Sequence, residues 1–169
     1  QSFTSYAFAD FKGDKVIPLF NEKTKMMQDH EKNPKFSHLS INSIIDCYNY
    51  SKHHITFPEH SLLEPLIDQA LIDAQKNFEI DGTISLLIVV SCGIFVDFAK
   101  AMEKLAEADE KPLMCLFVLM DGMKINLYDS IVQRKGKLIN NSGHKTKRKL
   151  AKVAVYSDGS TFCDNRLDK

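Results

Sequence analysis

Residues 84–93 read Ile-Ser-Leu-Leu-Ile-Val-Val-Ser-Cys-Gly, and this stretch decides the fold of the chain. Its run from Ile84 to Val90 is almost continuously apolar and largely β-branched. Such a run predicts a strand buried on both faces, as is typical of a parallel strand inside an α/β sheet. Ligand sites in open α/β sheets lie just beyond the carboxyl ends of such strands. At that position the chain has Cys92, where a metal-binding or catalytic carboxylate is expected.

Size and charge limit the class of protein. The 169 residues fit one domain, spanning 1–169, that is long enough to bury a substantial core. Formal net charge is zero, with 22 basic and 22 acidic residues, which argues against a general nucleic-acid binder. No apolar stretch reaches the roughly 18 residues that span a bilayer, and no signal peptide is visible. The four cysteines have no C-x-x-C spacing and predict reduced thiols in an intracellular protein.

The order of the predicted elements favours a mostly parallel sheet. Helical patterns lie at 41–52, 62–78 and 96–108, with a weaker one at 127–133. Strands are predicted at 3–9, 84–90, 113–120 and 153–156. A short extended piece is predicted at 16–20, which Pro18 restricts to a sheet edge or an irregular segment. The first helix carries one apolar stripe, formed by Ile41, Ile44, Ile45 and Tyr48. The sequence of helix, helix, strand, helix and strand predicts an α/β fold with right-handed crossovers.

Short pieces between Tyr6 and Tyr156 match one known family in order and spacing. They are Tyr6-Ala7-Phe8-Ala9, Phe20-Asn21, Ile44-Ile45-Asp46-Cys47-Tyr48, Ser61–Ile67, Ser85–Gly93, Asp97, Lys111-Pro112-Leu113-Met114 and Arg148–Tyr156. Together they resemble the copine-type von Willebrand factor A domain, and RING-type plant ubiquitin ligases carry a similar domain. The resemblance implies a Rossmann-like, mostly parallel sheet flanked by helices, and a non-enzymatic protein-interaction module.

The resemblance also implies a degenerate metal-ion-dependent adhesion site. Domains of this type hold a hard cation with oxygen ligands from three loops, which supply Asp-x-Ser-x-Ser, a Thr, and the Asp of Thr-Asp-Gly. In this chain the first loop is absent, Ser61 stands at the Thr position and Cys92 at the Asp position. A thiol is a soft ligand that suits magnesium or calcium poorly. We therefore expect no metal and no other cofactor; the alternative is magnesium at a residual site.

The usual first strand and helix of the family are missing as well, so the domain is expected to be amino-terminally incomplete. In the family, that strand lies between the equivalents of the strands at 3–9 and 84–90. Its absence leaves two strand edges without backbone partners, at about 1–3 kcal/mol for each buried unpaired group. Three explanations stay open: the chain is a fragment, the sheet closes differently, or another chain fills the gap.

A partner-binding rim is predicted at the carboxyl ends of the strands, comprising Ser61, Ser91, Cys92, Gly93, Asp97 and Asp121. The resemblance implies an intracellular protein partner and no nucleic acid. It also implies a cytoplasmic location, at the inner face of the plasma membrane only through calcium-dependent phospholipid-binding modules outside this chain. The alternative function is a small α/β enzyme or nucleotide-binding domain in the same crevice, but no Gly-rich phosphate loop supports it.

Other candidate residues have ordinary explanations beside the functional ones. Cys92 before a helix start is a candidate thiol nucleophile, but no histidine motif accompanies it. Asp121 with Gly122 reads as a turn. A candidate zinc cluster repeats no tetrahedral spacing; it consists of Cys47, His53, His54, Glu59 and His60. The densest basic run fits either a solvated loop or a contact with anionic lipid; it consists of Lys145, Lys147, Arg148 and Lys149.

Overall fold

The computed structural model describes most of the chain after residue 40 and four short strands before it. The described residues are 3–4, 6–9, 15–18, 37–38, 41–53, 61–91, 95–120 and 125–156. The chain divides into two compact units, Gln1–Pro65 and Leu66–Lys169. The single domain that the sequence predicts over 1–169 stays a prediction.

The first unit contains two antiparallel strand pairs. β1 (Phe3–Thr4) pairs with β4 (Ser37–His38), and β2 (Tyr6–Ala9) pairs with β3 (Lys15–Pro18). Where the sequence predicts a single strand at 3–9, the structure therefore has two short strands with different partners. Pro18 ends β3, and both strands of a two-stranded ribbon are edges, so the predicted restriction of Pro18 to an edge is confirmed.

The helix of the first unit is α1 (Ile41–Ser51), which confirms the helix predicted to end near Lys52. Its buried residues are Cys47 and Ser51. The predicted apolar stripe lies on an adjoining side, and three of its members, at i, i+4 and i+7, are exposed: Ile41, Ile45 and Tyr48. This spacing usually marks a side that packs on a core. The periodicity thus identifies the helix correctly but not the side that is buried.

The second unit is built around a three-stranded parallel sheet. Its elements in chain order are α2 (Glu64–Asp81), β5 (Ser85–Ser91), α3 (Phe98–Glu107), β6 (Leu113–Met120), a 3-10 turn (Ile125–Tyr128), α4 (Asp129–Gln133) and β7 (Ala151–Tyr156). The strand order is β5-β6-β7, and both neighbouring pairs are parallel. The predicted α/β class is confirmed, and so is the parallel pairing of the strands predicted at 84–90 and 113–120.

Local signals explain where α2 begins and ends. Pro65 lies in its first turn, where a missing backbone N–H removes no helical hydrogen bond. Gly82 follows its last residue with a φ of +73°, and its N–H donates to the carbonyl of Phe78 at 2.8 Å. A left-handed residue just after a helix favours glycine, which accounts for the stop. The predicted helix at 62–78 is therefore present and runs three residues further.

One face of the sheet is packed. Alternate residues of a strand point to opposite faces, and the residues of one set are buried: Val89, Cys115, Phe117, Leu119 and Val153. α3 lies on this side, with the ring centroid of Phe98 6.0 Å from that of Phe117. An ion pair of 2.5 Å between Lys104 Nζ and Asp68 Oδ2 links α3 to α2. This packed face is the core of the second unit.

The other face is exposed along β5 and at the start of β6, whereas Val118, further along β6 on the same face, is buried. Leu86, Ile88 and Val90 of β5 are 54–63% exposed, and Met114 of β6 is 42% exposed. The register places Leu86 beside Met114, so these four side chains form one apolar patch, here called the open face. The prediction that residues 84–90 are buried on both faces is wrong. An apolar run identifies a strand suited to burial, but the described residues leave this side of β5 uncovered.

The outer edge of β5 has no partner among the described strands. β5 pairs only with β6 there, so it forms one edge of the sheet. β2 and β3 pair with each other in a separate ribbon.

A clamp made by Arg148 holds the connection before β7 at the amino end of the sheet. Its Nε donates to the carbonyl of Asp109 at 2.5 Å, and its Nη2 donates to the carbonyls of Lys111 and Leu113. Gly136, with a φ of +81°, lies so close to β7 that a Cβ there would collide with the carbonyl oxygen of Ala151. The connection before β7 is therefore attached to the starts of both β6 and β7.

Candidate functional site

Half of the predicted rim lies within the described residues. Ser61 is half-buried in the first unit, while Ser91 and Asp97 are half-buried in the second. Ser91 is the last residue of β5 and Asp97 immediately precedes α3, so they flank the loop after the carboxyl end of β5. The remaining rim residues, Cys92, Gly93 and Asp121, lie outside the described residues. The rim as one surface therefore stays a prediction.

Asp97 has a structural role at the start of α3. It occupies the N-cap position, and its backbone carbonyl accepts a hydrogen bond from the N–H of Ala101 at 2.9 Å. Its side chain makes no capping hydrogen bond, but a carboxylate at a helix N-terminus is favoured by the helix dipole. This arrangement accounts for an acidic residue here without any ligand.

An aromatic cluster packs the sheet to α3 and to the 3-10 turn. The ring of Phe98 lies 4.6 Å from that of Tyr128 and 6.0 Å from that of Phe117, and the rings of Phe117 and Tyr128 are 5.5 Å apart. All three are buried, and burial raises the pKa of Tyr128 to about 12. The interplanar angles of 56–66° are close to edge-to-face packing, the favoured geometry for such rings. Rings, not polar catalytic groups, occupy this part of the core.

The described thiols are unreactive in character. Burial raises the pKa of the Cys115 thiol to about 12. Burial, and secondarily the charge of Asp46, raises the pKa of Cys47 as well. A thiol with a raised pKa stays protonated near neutral pH and is a poor nucleophile and a poor metal ligand. For both cysteines the prediction of reduced thiols is confirmed.

The candidate zinc cluster is mostly beyond the described residues, which include Cys47 and His53 but not His54, Glu59 or His60. Within the described part of the chain, no three His, Cys, Asp or Glu side chains are grouped closely enough to hold a metal ion. No helix in that part has the length and apolar character needed to cross a bilayer.

The open face is the surface that the sequence interpretation did not anticipate. Its four side chains, Leu86, Ile88, Val90 and Met114, are all apolar and lie on two neighbouring strands in register. The expectation that an element of the resembled family is absent is the one available hint, because a sheet that lacks a covering element keeps an exposed side. Local sequence pattern alone gives no such information.

Comparison with protein-family models and with curated proteins found no match to this chain. The likeness to copine-type domains therefore depends on the residues quoted above and on the order of the strands.

Proposed function

We propose that this chain is a non-enzymatic protein-interaction module of the von Willebrand factor A type, resembling the copine A domain, with a degenerate metal-ion-dependent adhesion site. The open face is the observation that carries the proposal. Parallel sheets are normally covered on both faces, and large contiguous apolar patches on soluble proteins usually mark interaction sites. A surface of this kind is complete only when another apolar surface packs on it.

The arrangement of the second unit supports the family part of the proposal. β5, α3 and β6 follow one another in the chain, and β5 and β6 are parallel neighbours, as the resemblance implies. The piece from Arg148 to Tyr156 ends in β7, which adds a third parallel strand. The residues at the two former ligand positions, Ser61 and Cys92, are a poor set for a hard cation. A partner would therefore bind without a bridging ion.

The dimensions of the open face indicate an amphipathic α-helix as the partner element. The open face lies on two strands about 4.8 Å apart, and its exposed side chains on β5, from Leu86 to Val90, span about 13 Å at roughly 3.3 Å per residue. Roughly two to three turns of a helix about 10 Å wide cover such a surface. Helices are also the elements that normally cover parallel sheets. We therefore infer a helix from a protein partner, with an apolar stripe that packs on Ile88 and its neighbours.

A pair of model peptides tests this function. The first is an amphipathic 18-residue helix of Leu, Glu and Lys, with leucines at i, i+3, i+4 and i+7; the second has the same composition in scrambled order. Fluorescence anisotropy of the labelled peptides measures binding to the full chain. We expect the amphipathic helix to bind and the scrambled peptide to bind at least tenfold more weakly.

Two lysine substitutions identify the surface involved. Ile88→Lys places a charge on the open face and should weaken helix binding at least tenfold, since burying one large apolar side chain is worth about 1.5–3 kcal/mol. Ile80→Lys is the matched control, because Ile80 is 71% exposed on α2. Thermal unfolding of both variants establishes that they fold. Equal binding of the two peptides, or equal losses in the two variants, would refute the proposal.

A further inference from the structure

The positive charge of the second unit is concentrated in one segment. Residues 134–152 contain eight Lys and Arg side chains, and no Asp or Glu lies between Asp129 and Asp158. The chain as a whole has a formal net charge of zero, so this segment is a local excess rather than part of a basic protein. A local excess of one sign makes a surface that attracts ligands of the opposite sign.

The middle of this segment, residues 136–150, folds back on itself as a ribbon, here called the basic ribbon. The N–H of Thr146 donates to the carbonyl of Leu138 at 2.9 Å, and the N–H of Leu138 donates to Thr146 Oγ1 at 3.0 Å. Ile139 and Lys145 form an isolated antiparallel bridge, and Asn140 accepts from the N–H of Gly143 at the turn. Leu138 and Thr146 are buried, so the ribbon is held in one conformation.

Alternation along the ribbon places its lysines on the outer face. The inward set contains Leu138, Thr146 and Leu150, which are all buried. The outward set comprises Lys137, Ile139, Lys145, Lys147 and Lys149, of which all but the half-buried Lys137 are exposed. Alternate residues of an extended chain lie about 6.6 Å apart, so the charges are spaced along both arms of the ribbon.

Most of these lysines have no acidic partner. Lys147 Nζ lies 3.0 Å from Glu110 Oε1, but both side chains are over 80% exposed, and such a pair is weak. Lys137, Lys145 and Lys149 make no ion pair with any residue in the part of the chain that the structure describes. Arg148 is different, since it is committed to the clamp at the amino end of the sheet.

We propose that the outer face of the basic ribbon binds the surface of an anionic phospholipid membrane. Its lysines lie on two arms around Ile139, which is 39% exposed, rather than in a single row. A layer of lipid headgroups meets both arms at once, and the interface below the headgroups takes up an apolar side chain. The outward set contains no aromatic side chain on which a nucleic-acid base could stack.

The position of the ribbon is compatible with the protein-binding role, although this inference does not depend on it. The ribbon leads into the start of β7, and Arg148 attaches it beside the start of β6. It therefore lies at the amino end of the strands, whereas Ser91 ends β5 at the opposite end. A membrane bound to the ribbon therefore contacts the end of the sheet opposite to Ser91.

Vesicle sedimentation with the full chain tests the proposal. We expect binding to phosphatidylcholine vesicles that contain about one third phosphatidylserine, little binding to phosphatidylcholine alone, and weaker binding as salt shortens the range of the charges. Calcium should not be required. Binding that is equal on the two kinds of vesicle, or absent from the anionic vesicles at low salt, would overturn the proposal.

A charge-matched pair of triple variants locates the contact. Lys137→Gln with Lys145→Gln and Lys149→Gln should lower the affinity for anionic vesicles about 100-fold, at roughly fivefold for each lysine near the surface. The control removes the same charge elsewhere, with Lys52→Gln, Lys76→Gln and Lys100→Gln, and should change the affinity less than threefold. Equal losses in the two triple variants would mean that net charge alone controls adsorption, which contradicts the proposal.

One further variant tests the role of Lys147, and two more measurements separate a membrane from other polyanions. Glu110→Gln removes the acidic neighbour of Lys147 and should raise vesicle affinity a few-fold. Ile139→Ser should weaken vesicle binding at least threefold and leave binding to polyglutamate unchanged, since only the membrane takes up the apolar side chain. Tighter binding to polyglutamate or to polyadenylate RNA than to anionic vesicles would assign the surface to another partner and overturn the membrane proposal.

Discussion

The two faces of the parallel sheet carry similar side chains in different surroundings. Val89 and Val90 are neighbours on β5, yet Val89 is 2% exposed and Val90 is 63% exposed. The packed face has the helices and the aromatic cluster of Phe98, Phe117 and Tyr128 against it. The open face has equally apolar residues, which are 42–63% exposed.

This difference in exposure assigns the packed face to the stability of the second unit and the open face to its proposed function. Apolar side chains contribute to folding through the surface that folding removes from water. Residues of the packed face lose their contact with water when the chain folds, so they stabilise the folded state. Residues of the open face lose contact with water only when a partner binds, so they stabilise the complex. Substitutions on the packed face should therefore lower the free energy of unfolding, whereas substitutions on the open face should mainly weaken binding to the partner.

The largest effect is expected from Phe117→Ala on the packed face. Phe117 is fully buried and contacts the rings of Phe98 and Tyr128, so truncation leaves a cavity and removes two aromatic contacts. We expect the free energy of unfolding to fall by about 3–5 kcal/mol. Denaturant titration measures it, with Met114→Ala on the open face as the control, expected to cost less than about 1 kcal/mol. Similar losses would mean that both faces are covered.

The closest comparison uses two identical substitutions at adjacent positions. Val89→Ala should cost about 2 kcal/mol, because two buried methyl groups are lost and a small cavity remains. Val90→Ala should cost less than about 0.5 kcal/mol, because its side chain is already in water. Denaturant midpoints of the two variants give the difference directly. A larger loss for Val90 than for Val89 would contradict the assignment of the faces.

Alkaline pH should lower the free energy of unfolding, because two groups of the packed face are buried in their neutral form. Burial raises the pKa of Cys115 from 9.0 to about 12 and that of Tyr128 from 10.0 to about 12. At a pH between the ordinary pKa of each group and about 12, the group is deprotonated in the unfolded chain but still protonated in the folded chain. Stability is therefore complete below about pH 9 and falls as pH rises toward 12, by up to about 1.4 kcal/mol per pH unit for each group.

Denaturant titrations at several pH values test this dependence. Cys115→Ala should reduce, but not abolish, the slope between about pH 9 and pH 10, because the Cys47 thiol also has a raised pKa. Val90→Ala on the open face should leave the slope unchanged. A slope that is the same in Cys115→Ala and in the unchanged protein would show that the thiol is not the titrating group.

The sequence predicts the order and kind of elements in the second unit because both depend on local pattern. The apolar run at 84–90 identifies β5, and the run at 113–120 identifies β6, with bounds that agree to within one residue. The pairing of the two follows from the helix between them, since a strand, a helix and a strand in succession favour a parallel pair. These features need no knowledge of distant residues.

Exposure is not predictable in the same way because it depends on what packs on an element. Ile45 and Tyr48 of α1 and Ile88 of β5 belong to patterns that ordinarily indicate burial, and all three are exposed. The Arg148 clamp was missed for a related reason. Its three carbonyl acceptors lie 35 to 39 residues earlier in the chain, so the sequence presents it only as one more basic residue. Among the rim residues, Ser91 ends β5 and Asp97 immediately precedes α3, as the predicted order of elements implies.

The smallest effect is expected from divalent cations. The proposed resemblance aligns Cys92 and Ser61 with two positions of a site that uses oxygen ligands, and they offer one thiol and one hydroxyl. A cation that binds only the folded state stabilises it by about 0.4 kcal/mol when its concentration equals its dissociation constant, and by more above that. For a chain of this size, 1 kcal/mol moves the unfolding temperature by about 2–4 °C. We therefore expect magnesium, manganese and calcium at millimolar concentration to shift the Tm by less than about 1 °C relative to EDTA. A shift of several degrees would restore the adhesion site as the binding surface, and a partner would then bind the rim through an ion and not the open face through an apolar contact.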